Sequence, residues 1–207
     1  MANVSRPRGL SPVGTLTGAA FNEQGQLFAI ANDSSNTYAI GDVVKIATGS
    51  DANGIAYVTK VTADTDLPLG VIVGVRPADP GVSLQGTNID LSKLYLSKSS
   101  GTRYVYVITD PNVIFEAEAD SYALADVMKN VGANWTADQT STLSQSAPQS
   151  STTVKASTVV AQSSSGSLGL PFTVIGLAQR QDNAAGAYAK VNLILNKQQF
   201  KQAQGTA

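Results

Sequence analysis

Short runs of β-branched and aliphatic residues, each closed by Gly, Asn, Asp, Ser or Thr, recur along this chain and limit what it can fold into. Leu27–Ile30, Asp42–Ile46, Ile55–Thr62, Leu69–Val75, Leu94–Leu96, Arg103–Thr109, Val113–Glu118, Phe172–Ala178 and Ala187–Leu195 are such runs. Several alternate with a period of two. Ile55, Tyr57, Thr59 and Val61 stand opposite Ala56, Val58, Lys60 and Thr62, and Val113, Phe115 and Ala117 stand opposite Ile114, Glu116 and Glu118. That period belongs to strands with two unlike faces. The turn cluster 32–36, the loop 49–54 and the Asp182, Asn183, Gly186 loop supply reversals. The expectation is an all-β chain: a β-barrel or β-sandwich of short antiparallel strands with at most one short helix.

The one helical spacing is Ser121 to Val131, where Leu124, Val127, Met128 and Val131 recur before Gly132. The 207 residues suffice for a core, and residues 26–196 are expected to form a single β-domain. Residues 140–167 are mostly Ser and Thr with Lys155 as the only charge. Alternation over 152–161 predicts an edge strand there, between loops. Residues 1–25 hold several Pro and Gly and no sustained period, which predicts an extended arm, poorly ordered alone and separable from the fold. Its apolar side chains Val4, Leu10, Val13, Leu16 and Phe21 are spaced as anchors for a partner's grooves. The Gln- and Lys-rich tail, 197–207, is expected to fray. Val71–Arg76 faintly echoes Val174–Arg180, but buried-strand composition alone produces such an echo, so no duplication follows from it.

Composition bears on chemistry. The chain has no His and no Cys, which removes the usual neutral-pH base, thiolate nucleophiles and the commonest metal ligands. Only 14% of residues are charged, with a net charge of -1 and no basic run, so nucleic acid is not an expected partner. No apolar stretch approaches the roughly 18 residues of a membrane span. The N-terminus has no apolar segment after its arginines, which reads as a soluble protein made in the cytoplasm. Asp64 with Asp66, or Asp33 with Asp51, are conceivable Ca²⁺ ligands, but neither pair fits a twelve-residue calcium loop, and solvated turn carboxylates are the plainer account. Glu116 and Glu118 share a strand face, as a glycoside-cleaving pair would. A solvent-facing pair on an amphipathic strand is the simpler reading. No nucleophile elbow or phosphate loop is present. Tyr95, Tyr104, Tyr106 and Phe115 lack the interleaved cations of a single-strand stacking surface. No enzyme, no metal and no cofactor are expected.

Three stretches together resemble the capsid decoration, or cement, proteins of tailed bacteriophages. They are the arm leading into Thr15-Leu16-Thr17-Gly18-Ala19-Ala20-Phe21, then Asp110 to Glu118 with Ala125-Asp126-Val127, and the end from Val174-Ile175-Gly176-Leu177 through Asp182-Asn183 and Gly186 to Ala189–Asn196. The resemblance runs in order over roughly the whole chain, on strand patterns and turns and not on a ligand set. It implies a β-module on the outer capsid surface that binds several major capsid protein subunits and stabilises the shell. It further implies a trimer or dimer of itself on the capsid. The alternative is a carbohydrate-binding β-module of a fibre or adhesin, using loop tyrosines or Trp135.

Overall fold

The computed structural model describes residues 3–22, 24–31, 33, 35–76, 95–96, 101–135, 150, 152–160, 170–196 and 198–202. The chain runs through β1 (Ser11–Thr15), β2 (Gln26–Ile30), β3 (Tyr38–Ala39), β4 (Val43–Ser50), β5 (Ala56–Lys60), β6 (Gly70–Arg76), β7 (Tyr95–Leu96), β8 (Arg103–Ile108) and β9 (Val113–Glu118). It continues through β10 (Ser121–Tyr122), a 3₁₀ turn (Leu124–Asp126), β11 (Asn130–Asn134), β12 (Thr153–Val160), β13 (Phe172–Leu177), β14 (Gly186–Ala187), β15 (Lys190–Leu195) and one helical turn, α1 (Gln199–Gln202). The protein is all-β, as the strand pattern predicts.

Among the described residues, two large strand assemblies make up most of the fold, beside the two-stranded ladders β3-β7 and β10-β14. The first is a closed barrel in the order β2-β5-β4-β6-β8. Only β2 and β5 run parallel, and the other neighbours are antiparallel. Phe28, Ile30, Val44, Val58, Leu69, Ile72, Val105 and Val107 fill it, with Tyr38 and Leu96. The second is a six-stranded sheet, β1-β9-β15-β13-β11-β12. A parallel bridge from Val154 to Ala119, just past β9, brings the β12 edge back towards β9. Its core holds Phe115, Ala117, Ala119, Val131, Val154, Phe172, Val174, Val191, Leu193 and Leu195. The two pack together because barrel residues of the opposite parity, Val43, Val71 and Ile108, enter the second core. The span expected as one β-domain thus holds two linked strand units.

Three segments depart from the sequence expectation. No α-helix forms over Ser121–Val131: Leu124, Val127 and Met128 are exposed, so their helical stripe meets no core. Met128 instead takes a positive φ of 61° and turns the chain into β11. Residues 198–199 do not fray. Gln198 is fully buried and donates to the carbonyls of Leu69 (2.9 Å) and Thr109 (2.8 Å). Within the Ser/Thr-rich segment, β12 matches the expected strand, and residues 140–149 and 161–167 lie outside the described residues.

Candidate functional site

The leading segment is extended but is not a free arm. It crosses both units and is fastened at four places. Asn3 Nδ2 donates to the carbonyls of Ala184 and Ala187, each at 2.8 Å, while its Oδ1 accepts from the Ala184 amide at 3.0 Å. Next, the Glu118 carboxylate accepts from Ser5 Oγ (2.8 Å) and from the Arg6 amide (2.6 Å), and Lys190 Nζ pairs with it. The chain then crosses the Gly41 corner, where the Leu10 amide donates to the Gly41 carbonyl at 3.0 Å. Gly9 (φ 68°) and Gly41 (φ 92°) are both in the left-handed region. A Cβ on Gly9 would overlap the Gly41 carbonyl oxygen, and one on Gly41 would overlap the Arg8 carbonyl oxygen. Two backbones meet there only because neither residue has a side chain. Last, β1 adds antiparallel to β9, with Ser11 opposite Glu116 and Thr15 opposite Val113.

The expected anchors separate accordingly. Leu10 is 1% exposed and belongs to the protein's own second core, so it is not an anchor for a partner. Phe21 is half-buried against the same core. Val4, Val13 and Leu16 are 64%, 49% and 48% exposed. The expectation of a separable arm fails because Leu10 and the Glu118 cluster reward docking more than the segment's short, Pro- and Gly-containing sequence disfavours order.

Beneath the segment lies an open cleft of about 420 Å³. Arg6, Arg8, Arg180 and Lys190 line it against Glu116, Glu118 and Asp182. Glu116 and Glu118 are not the solvent-facing pair expected from alternation. Glu116 accepts an ion pair from Arg180 at 2.8 Å, and Glu118 is 4% exposed. Each carboxylate has its own cation, and Glu118 holds the leading segment. The arrangement is an anchorage.

The other candidate carboxylates serve turns. Asp64 Oδ1 accepts from the Ala133 amide (3.0 Å) and Trp135 Nε1 (2.7 Å), tying the two units together. Asp66 pairs with Lys45 at 2.7 Å. Burial acts to raise Asp66, but Lys45 and the Thr62 amide outweigh it and hold the carboxyl below the usual aspartate range. Asp33 behaves alike: burial is opposed by hydrogen bonds from Asn36, Tyr38 and the Ser35 amide, which win. Tyr38 donates to Asp33 at 2.7 Å and lies under the Arg103 guanidinium, 5.5 Å from the ring centre. Burial, then Asp33, pushes Tyr38 well above an ordinary phenol. Asp51 accepts from Tyr104 at 2.7 Å. Among the described residues no three His, Cys, Asp or Glu gather as a metal site, and no helix is long and apolar enough to cross a membrane. Trp135 packs against Phe172 with ring centres 5.7 Å apart, which takes one ring face away from a glycan. Phe115 is wholly buried and Tyr106 is exposed, so the aromatic set is split between core and surface.

Comparison with family models, with characterised proteins and with solved structures finds no match.

Proposed function

We propose that the protein is a non-enzymatic adhesion module that binds the outer surface of a tailed-phage capsid and stabilises contacts between major capsid protein subunits. The observation that supports adhesion is the leading segment. It is pinned along its length, yet Val4, Val13 and Leu16 stay exposed along it. Exposed apolar side chains held on an ordered segment can be offered to a partner without further loss of chain freedom. The capsid as partner rests on the resemblance of the three sequence stretches.

The geometry alters the mechanism expected from the sequence. A floppy arm loses chain entropy when it binds, whereas this one is ordered within the fold. Preorganisation of that kind raises the affinity of each contact. Many copies, themselves paired or in threes, on a lattice of linked subunits add avidity. Deleting residues 1–20 is therefore a poor test, because it removes a core leucine and a strand. The test is Val13→Ser with Leu16→Ser, both surface changes. The variant should fold with wild-type melting behaviour and occupy expanded capsids at least tenfold more weakly. Undiminished occupancy would exclude this strip as the contact.

A further inference from the structure

The two units repeat one another strand for strand. The spans 26–108 and 113–195 are equal in length, and among the described residues each holds seven strands. In each, the first strand runs parallel to the fourth, which pairs antiparallel with the third. The third pairs with the fifth, the fifth with the seventh, and the seventh with the first. In each, the short second and sixth strands form a separate ladder, β3 with β7 and β10 with β14.

The registers agree along the third–fifth and fifth–seventh ladders, while the third–fourth ladder shifts between Ile46 and Ser50 in one unit and between Asn130 and Gly132 in the other. Val43 faces Val71 and Val44 faces Gly70, as Asn130 faces Thr173 and Val131 faces Phe172. The bulge between Ile72 and Gly74 recurs between Val174 and Gly176. Gly41 and Met128, both at positive φ, donate to the carbonyls of Ile72 and Val174 at 2.8 Å in each case. Inward side chains pair off as Phe28 with Ala117, Val44 with Val131, Val58 with Val154, Ile72 with Val174 and Val107 with Leu193. Agreement at this level requires a common plan, not a shared taste for buried strands.

The equivalence exposes one difference. On the second unit, β1 lies along Val113–Glu116 of β9. The matching edge of the first unit is Gln24–Leu27, at the start of β2. Among the described residues no strand pairs with it ahead of Ala29, which meets Tyr57. Gln24 and Gln26 are exposed there. We propose that this β2 edge is a strand-acceptor site for an extended, uncharged segment of a partner protein, laid down as β1 is on β9. An open sheet edge presents unpaired amides and carbonyls to such a segment.

The chemistry of the occupant follows from what replaces the ionic anchorage. Glu118 and Lys190 correspond to Ala29 and Tyr104 through the two ladders. The edge itself carries amide, glycine and leucine side chains. The segment is therefore held by backbone pairing and neutral contacts, so its binding should be insensitive to salt. This inference stands apart from the capsid reading, because its probe is a peptide.

The probe is the uncharged nonapeptide of residues 9–17, added to the full-length ¹⁵N-labelled protein. Saturable shifts at the amides of Gln24–Leu27, with affinities within twofold at low and high salt, are expected. The same peptide N-methylated at its strand amides, which can no longer donate to an edge, should bind at least tenfold more weakly. Shifts confined to Val113–Glu116, or none at millimolar peptide, would overturn the proposal. Shifts of the same β2 amides on concentrating the protein alone would assign the edge to a second copy and would likewise overturn it.

Discussion

Leu10→Ala tests whether the leading segment is part of the fold. Leu10 is 1% exposed and sits among Val43, Phe115 and their neighbours in the second core. The substitution removes three carbon atoms, about 2.4 kcal/mol at roughly 0.8 kcal/mol per buried methylene. The cavity left behind adds to this, and measured buried Leu→Ala changes span about 2–5 kcal/mol. The neighbouring Gly9–Gly41 crossing fixes the backbone on one side and β1 on the other, which limits collapse, so a loss of about 3–4 kcal/mol is expected within that range. Urea unfolding followed by the fluorescence of Trp135, packed on Phe172 in the same core, reads the change directly. A loss within about 0.5 kcal/mol, the ordinary size for an exposed site, would refute the docking of the segment.

Four further outcomes follow from the structure. Glu118→Gln should speed trypsin cleavage after Arg8 about tenfold or more, because charge-assisted hydrogen bonds of about 1.5–3 kcal/mol hold the segment down. An unchanged rate would exclude Glu118 as its anchor. Lys60→Met should cost about 3–5 kcal/mol, since Lys60 and Asp42 form a 2.9 Å ion pair with side chains 3% and 0% exposed, and Asp42 would be left buried without a cation, holding only the Ala39 amide. Urea titration showing less than about 1 kcal/mol would contradict that. Gly41→Ala should cost at least about 1–3 kcal/mol from backbone strain, before its clash with Arg8, and a wild-type melting curve would count against the crossing. Stability should be flat between about pH 5.5 and 8.5, as no His or Cys titrates there. Asp33 and Asp66, held below the ordinary value of 3.8, bind fewer protons folded than unfolded, so their contribution is full above that value and fades as pH falls through it. Tyr38, raised above its ordinary 10.0, keeps its proton longer when folded, so stability falls as pH rises past 10. A thermal-melt series across pH checks both limbs.

The strands that alternate cleanly were legible in the sequence. Val113–Glu118 coincides with β9, and Ile55–Thr62 brackets β5, because a period of two has one meaning when one face is buried. β1 was not, because Pro12 and Gly14 mark a break, and its pairing is set by a strand about a hundred residues away. β11 was hidden by Leu124, Val127 and Met128, whose helical spacing has no core to face. The alternation of Glu116 and Glu118 correctly placed both on one face, but nothing local told that Arg180 and Lys190 would cover that face. The echo of Val71–Arg76 in Val174–Arg180 was a real trace of equivalent strands, β6 and β13. Its alignment is fixed by the shared bulge at Gly74 and Gly176, which periodicity does not reveal.

The adhesion account meets its most direct test in quantitative mass spectrometry of purified virions. The account predicts this chain on intact particles at a constant, lattice-limited ratio to the major capsid protein, released only when the shell is disrupted or its surface competed. Absence from washed virions, or a ratio that drifts from one preparation to the next, would contradict it.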